Sequence, residues 1–292
     1  MKAKLKRLKK LIYDSPLCPV FKVLYGGFNV CLYAFLCVKW RLQGHRLPSS
    51  DERERVGRDV TFIFKSFERQ SMAKRLYRCI RRYYPDAHVV IADDSKKPLK
   101  LKGERLEVVQ LEFNRGLSYG LNRAIERVGT KYTMRLDDDM LLTPLTRIHE
   151  QLDFLEKHKN IDVCAVQACS APKPLPPKQA AAEYLKFDMK ESGRELLIPH
   201  RTQIDERHFV FGKTPNCFLI RTEKYKALGY DDNIRMIDHH EFFMRAAGVL
   251  VAVADVSSFV FHYHNRFDRK YDVYRSDFLT DRLYIHKKHG LR

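Results

Sequence analysis

The stretch Lys131–Leu141, KYTMRLDDDML, runs from a β-branched and aromatic segment straight into three adjacent carboxylates, Asp137, Asp138 and Asp139. Its first half reads as a buried strand, so the acids stand at a strand end. Three carboxylates there repel one another, and partial burial raises their pKa values and costs stability. A divalent cation removes that repulsion. In an extended chain Asp137 and Asp139 point to one side and Asp138 to the other, so an Asp-x-Asp pair can address one ion. Hard oxygen ligands suit Mg²⁺ or Mn²⁺, which keep coordination positions open for substrate phosphates. The plainer alternative is an acidic cluster ahead of a helix from about Pro144 to Lys157, favoured by the helix dipole.

On either side of this stretch, strand and helix patterns alternate. VTFIFKSF (60–67), HVVIADDS (88–95), LEVVQLEF (106–113) and VCAVQA (163–168) read as strands. Between them, Met72, Leu76 and Ile80 recur at helical spacing, as do Leu117, Leu121, Ile125 and Val128. This rhythm predicts an α/β fold, a mostly parallel Rossmann-like sheet flanked by helices, with ligands at the carboxyl ends of the strands. Asp93 and Asp94 close another strand and suit hydrogen bonds from a base or ribose, although an ordinary turn with a helix cap explains them too. NRGLSYGLN (114–122) carries Gly116 and Gly120 at a helix start, where backbone N–H groups can approach an anion. APKPLPPK (171–178), with four prolines, then breaks the pattern before a less regular second half.

The chain has 292 residues, 45% hydrophobic, enough for one large domain with an appendage. Its formal net charge of +18 favours nucleic acid, an acidic membrane surface or anionic substrates such as nucleotide phosphates. Six of the first ten residues are Lys or Arg, and an apolar run interrupted by Pro19, Lys22 and Asn29 follows. The cleanest run, Val23–Val38, is short of the roughly 20 apolar residues of a transmembrane helix. Residues 1–42 therefore read as a basic amphipathic segment lying on an anionic bilayer, or as a helix packed on the domain. Polar residues 43–58 read as a linker and 59–292 as the domain proper, divided at 142 into a nucleotide-binding half and an acceptor-side half with a C-terminal tail. Seven cysteines without a spaced framework, and no Asn-x-Ser/Thr site, fit a reducing compartment.

Residues Val60–Leu142 resemble the nucleotide-sugar-binding half of a GT-A glycosyltransferase of the family 2 type. RRYYPDAHVVIADDSKKP (81–98), TKYTMRLDDDM (130–140) and HEFFMR (240–245) resemble the catalytic domain of ganglioside-type β-1,4-N-acetylgalactosaminyltransferases. The resemblance implies a UDP-sugar donor and a Mn²⁺ or Mg²⁺ cofactor. It implies that Ser66, Phe67 and Glu68 touch the nucleotide, that Arg69 reaches the diphosphate, that Asp93 or Asp94 meets uracil, and that Gly116 and Asn122 line the pocket. Arg135 and Asp138 join this nucleotide set, Asp137 and Asp139 form the Asp-x-Asp motif, and Asp139 is the direct metal ligand. Lys65 departs from the proline often found at its position.

An inverting transfer needs cations for the leaving diphosphate and a base for the acceptor hydroxyl. IDHHEFFMR (237–245) supplies the base candidates Glu241, Asp238 and His239, in that order of preference; a helix N-terminus enriched in acids is the plainer alternative. His262 and His264 share one face of a strand, so either can be the last metal ligand this fold often takes from its C-terminal strand. The basic tail beyond them closes over the diphosphate or lies on the membrane. The membrane-facing N-terminal segment and the lack of disulfide or glycan signs suggest a glycan or lipid-linked glycan acceptor at the cytoplasmic face of a bacterial inner membrane, in surface polysaccharide or lipooligosaccharide assembly. Two other readings remain. A nucleic-acid-binding protein fits the charge but lacks recognisable RNA- or DNA-binding signatures, and a sugar nucleotidyltransferase lacks its Gly-rich loop in FKSFERQSM (64–72).

Overall fold

The structure, a computed structural model, describes residues 10–170, 195–263, 267–275 and 278–290. The expected proline-rich break (171–178) and His264 lie outside the described residues. β1 (Val60–Ser66), β2 (His88–Asp93), β3 (Leu106–Gln110) and β4 (Tyr132–Arg135) lie side by side in the order β3-β2-β1-β4. All three pairings are parallel, so β1, β2 and β4 deliver their carboxyl ends to one edge. Period-2 alternation sets the layers: Val60, Phe62 and Phe64 enter one hydrophobic cluster while Ile63 enters the other. The helix Gln70–Tyr83 covers the first side with Met72, Leu76 and Ile80, and the helix Leu117–Glu126 covers the second with Leu121 and Ile125.

The second half extends the same sheet with mixed pairing. β5 (Met140–Leu142), β6 (Val163–Ser170), β7 (His208–Val210), β8 (Phe218–Arg221) and β9 (Ala252–His262) continue it as β4-β8-β6-β9-β5, with β7 alongside β9. β8 runs antiparallel to both β4 and β6, whereas β6 and β9 are parallel. An irregularity after Val166 lets β9 jump from Asp255 to Phe259 opposite successive β6 residues. β5 then pairs antiparallel with the last turn of β9, Met140 opposite His262. The chain that leaves β4 through the three aspartates is thus returned to the end of β9.

Two boundaries differ from expectation. The helix expected from Pro144 begins at Ile148, because Thr146 Oγ1 accepts from Thr143 N at 2.8 Å and locks a turn first. Residues 50–58 are not linker: the helix Ser50–Asp59 is closed by a capping box in which Ser49 N donates to Glu52 at 2.6 Å and Glu52 N to Ser49 Oγ. Val56 of that helix is fully buried, and Arg55 pairs with Asp153 on the helix Ile148–Lys157.

The N-terminal helix Cys18–Leu42 is attached to the domain along one face, with Leu36 and Trp40 inside the main core. Tyr33 O–H donates to the Leu142 carbonyl at 2.7 Å and its ring meets Phe261. If this helix folds with the sheet, Trp40→Ala should lower the unfolding free energy by about 3–5 kcal/mol in one cooperative transition. A denaturant titration in which the sheet unfolds unchanged would show the helix to be energetically separate.

Candidate active site

Because β1 lies between β2 and β4, the loop after it meets both neighbours' strand ends. Lys65 Nζ reaches Asp94 Oδ1 at 2.5 Å, and Gly116 N donates to Asp94 Oδ2 at 3.1 Å. Burial lowers the Lys65 pKa and raises that of Asp94, each opposed by the other's charge. A Cβ on Gly120 would lie 2.8 Å from Lys65 Cδ, so the glycine makes room for the lysine stem. Gly116 adopts φ +102°, open to glycine at little cost, and a Cβ there would press on the Arg235 backbone at 3.1 Å.

The three aspartates of Lys131–Leu141 diverge. Arg69 Nη1 donates to Asp139 Oδ2 at 3.1 Å and Arg69 Nη2 pairs with Asp138, so one guanidinium bridges two carboxylates. His262 Nε2 lies 3.4 Å from Asp139 Oδ1, a consequence of the β5–β9 register. Burial, with Asp139 and Asp137 alongside, pushes the Asp138 carboxyl up to about 7 against the pull of Arg69. Burial also disfavours the His262 imidazolium, but Asp139 outweighs it and raises the His262 pKa. Asp137, expected on the same side as Asp139, turns to the other side and accepts from Arg135 Nη1 at 2.7 Å, because the chain is no longer extended after Arg135 and Asp138–Asp139 form a turn closed by Met140 N donating to the Asp137 carbonyl at 3.0 Å.

Arg135 is fully buried, and it joins three pieces of the floor. Besides Asp137 it donates to the Asn216 carbonyl at 2.7 Å, and its Nη2 lies 3.6 Å from Asp238 Oδ2. Asp238 opens the helix Asp238–Ala246 and is 1% exposed. A buried carboxylate is tolerable there because a guanidinium faces it.

Above this floor the tail returns as a roof. Tyr271 stacks on the Arg69 guanidinium at 3.9 Å, and Tyr274 meets Phe67 edge-on at 5.1 Å. The C-terminal helix Phe278–His289 sends Asp281 to accept from Arg235 N, Met236 N and Ile237 N, fixing the approach to Asp238. Together these parts enclose a cleft of about 640 Å³, lined by Lys65, Asp137–Asp139, Lys213, Asp238 and Tyr274 among others. That size suits a nucleotide-sized ligand.

The family model "Glycosyl transferase family 2" matches residues 61–229, more than half the chain. The chain belongs to glycosyl transferase family 2. Among curated proteins it is 33% identical over 202 residues to human Beta-1,4 N-acetylgalactosaminyltransferase 1, and 33% identical over 195 residues to mouse Beta-1,4 N-acetylgalactosaminyltransferase 2. These alignments take in 65–66% of this chain but only 36–37% of those proteins, so the chain matches little more than a third of their length. Among solved structures, S. aureus TarS 1–349 superposes with a TM-score of 0.50 at 13% identity, covering 70% of this chain and 60% of that one. The same protein in complex with UDP-GlcNAc gives 0.50 at 14%, covering 70% and 58%. At such identities the likeness is one of fold, and it agrees with the α/β sheet read from the strand rhythm and with the GT-A architecture that the resemblance implied.

Within this family frame the expected site residues separate into two groups. Phe67, Arg69, Gly116, Asp137, Asp138, Asp139, Asp238, His239 and His262 line the cleft. Others serve the scaffold. Asp93 accepts from Ser95 Oγ at 2.6 Å and Leu99 N at 2.7 Å, so its carboxylate shapes the loop after β2. Glu68 accepts from Lys96 N at 2.7 Å with φ +54°, tying the same two loops together. Asn122 holds Tyr230 through both N and O, 2.8 Å each, on the far side of its helix. Ser66 is buried at the end of β1 beneath the cleft. His239 Nε2 donates to the Thr214 carbonyl, and burial brings its pKa down to about 3, leaving a neutral imidazole.

Glu241, the first-ranked base candidate, points away from the cleft. It is fully buried, held by Arg245 Nε at 2.8 and 2.9 Å and by Lys288 Nζ at 2.7 Å. Sequence spacing alone missed Lys213, Asn216, Tyr271 and Tyr274, because no local pattern places a distant loop or tail over a strand edge. Although burial acts to raise the Glu241 pKa, Arg245 and Lys288 more than offset it, so the folded value is depressed. Its stabilisation is therefore complete above the ordinary glutamate value of about 4.3 and is lost as pH falls through the folded pKa. Glu241→Gln should cost ~2–3 kcal/mol at neutral pH, less than a fully buried pair because its partners stay partly solvated, and should flatten the acid limb of stability against pH. Denaturation midpoints from pH 3 to 8 test this; an unchanged acid limb would contradict it.

Proposed function

We propose that the protein is an inverting, metal-dependent transferase that moves a hexose or N-acetylhexosamine, with N-acetylgalactosamine the leading candidate, from a UDP-sugar to a hydroxyl of a glycan acceptor. The observation that carries this reading is the convergence of Asp138, Asp139, His262 and Arg69 at the carboxyl edge of the sheet, with Asp238 across the same cleft. The 3.4 Å separation of Asp139 Oδ1 and His262 Nε2 fits two neighbouring ligands of one ion, which at metal–ligand distances of about 2.1 Å lie roughly 3 Å apart. One imidazole beside carboxylate oxygens favours Mn²⁺ over Mg²⁺. Among the described residues no third His, Cys, Asp or Glu completes this set. When bound, such an ion neutralises charge on the leaving diphosphate.

The chain's own groups account for the rest. Arg69, beside Asp138 and Asp139, would face the diphosphate as the sugar–phosphate bond breaks and its electron pair stays on phosphate. The acceptor oxygen forms the new bond to the anomeric carbon from the opposite side, and its proton passes to Asp238. Arg135 keeps Asp238 paired and oriented, and Tyr271 and Tyr274 exclude water over the diphosphate. The acceptor class we propose is a membrane-borne glycan, at the cytoplasmic face of a bacterial inner membrane. Support comes from seven cysteines that form no disulfide and from the net charge of +18.

Calorimetric titration of UDP and UDP-N-acetylgalactosamine with and without Mn²⁺ tests the donor site. Binding should need Mn²⁺ and weaken at least tenfold in Asp139→Ala; absence of nucleotide binding under any metal overturns the reading. For the base, Asp238→Asn should lower turnover by about 10²–10⁴-fold with UDP affinity retained, while Glu241→Gln keeps most of its turnover. The reverse ranking would return the role to Glu241.

A further inference from the structure

The helix Cys18–Leu42 has two faces with opposite fates. Its inner face is fastened to the domain from end to end: Cys18 Sγ donates to the Phe267 carbonyl at 3.5 Å, Lys22 pairs with Asp268 at 2.7 Å, and Tyr263 O–H donates to the Gly26 carbonyl at 2.7 Å. Farther along, Tyr33 and Trp40 enter the core. The outer face is a continuous apolar stripe at helical spacing, Val20, Leu24, Phe28, Phe35, Val38 and Leu42, with Val23 and Val30 on its flank; Val23 is 73% exposed, Phe35 62% and Leu42 84%. Between residues 18 and 38 the only charged side chain is Lys22, and it is turned inward to Asp268.

By length and composition this helix could cross a membrane, with a mean hydropathy of 1.6 over its best window. Its attachment argues against crossing. A spanning helix is surrounded by hydrocarbon, and dragging this one across would carry Lys22, Asp268 and the sheet's edge into lipid, where unsolvated charge and backbone are costly. An apolar stripe about 33 Å long, with the other face fixed to a folded domain, fits shallow burial parallel to the surface. Charge supplies the partner's chemistry: Lys10 stands ahead of the stripe, Lys39 and Arg41 are exposed at its far end, and the first nine residues add five Lys or Arg. We infer that this face is a monotopic docking surface for an anionic lipid bilayer, the helix lying in the plane of the interface. The surface does not depend on the proposed reaction, so failure of donor binding leaves it standing.

The same contacts carry a positional consequence. Residues 267–272, held by the inner face through Phe267 and Asp268 and by Tyr13 just ahead of the helix, whose hydroxyl donates to Asp272 at 3.0 Å, carry Tyr271 and lead to Tyr274 over the cleft. Docking the helix therefore brings the cleft's roof next to the bilayer, within reach of a membrane-borne acceptor.

The test uses the full chain with Val20→Cys or Phe35→Cys in a Cys31→Ser, Cys37→Ser background, each labelled with an environment-sensitive fluorophore. Phosphatidylcholine vesicles with and without phosphatidylglycerol carry lipids brominated at graded depths. Both labels should quench most at one shallow depth, with tighter binding to the anionic vesicles. Depths differing by about 22 Å, the rise of fifteen helical residues, would mean a spanning helix and overturn the inference. Equal binding to neutral and anionic vesicles would remove its anionic element, and a stable dimer that ignores both would assign the stripe to a second copy. As a control, Val23→Glu with Phe28→Glu should lose at least tenfold in vesicle affinity with circular dichroism and UDP affinity unchanged; retained affinity would overturn the inference.

Discussion

Negative charge gathered at the end of β4 is the constraint around which the rest of the cleft is arranged. Asp138 and Asp139 are nearly buried, and without partners their mutual repulsion and desolvation would disfavour the fold. Arg69 from the β1 loop answers one side and Arg135, from β4 itself, answers Asp137 on the other. Each arginine then carries the constraint outward: Arg69 becomes the stacking surface for Tyr271, and Arg135 becomes the partner of Asp238. The roof and the candidate base are thus organised by cations whose first task is to neutralise the acids. The charges of the cleft are thereby matched within the protein itself.

A second theme is the use of chain termini as structural parts of the cleft. The N-terminal helix contributes Leu36 and Trp40 to the main core, and the C-terminal helix contributes Asp281, which accepts three successive backbone N–H groups before Asp238. Lys288 of that helix reaches both Asp231 and Glu241, so Glu241 joins the tail to the helix that carries Asp238. The acid pattern at this helix start is real, but two of its members have different work. Asp238 faces the cleft and Glu241 anchors the tail.

Much of the fold was legible because its determinants are local. Strand alternation around Phe62, Ile63 and Phe64, helical spacing of Met72, Leu76 and Ile80, and the break between them need only nearest neighbours in sequence. The capping box Ser49–Glu52 was equally local and marks the helix start where a linker had been expected. Asp93 shows the limit: a strand-end carboxylate looks the same whether it meets a ligand or its own loop, and Ser95 and Leu99 decide it. Asn122 and Glu68 follow the same rule, since donors brought in by other loops satisfy them.

By itself, the sequence determined the alternation of β1–β4 with their helices, the placement of Asp137–Asp139 at a strand end, and the apolar and basic character of the N-terminal segment. These follow from short-range periodicity and charge. Tertiary structure alone decided that Arg69 bridges Asp138 and Asp139, that His262 stands beside Asp139, and that Asp238 rather than Glu241 enters the cleft. It also decided that one face of the N-terminal helix is fastened to the domain while the other stays bare. Those outcomes depend on sheet order, on register and on distant segments closing over one another, and such long-range pairings leave no periodic trace in the residues that make them.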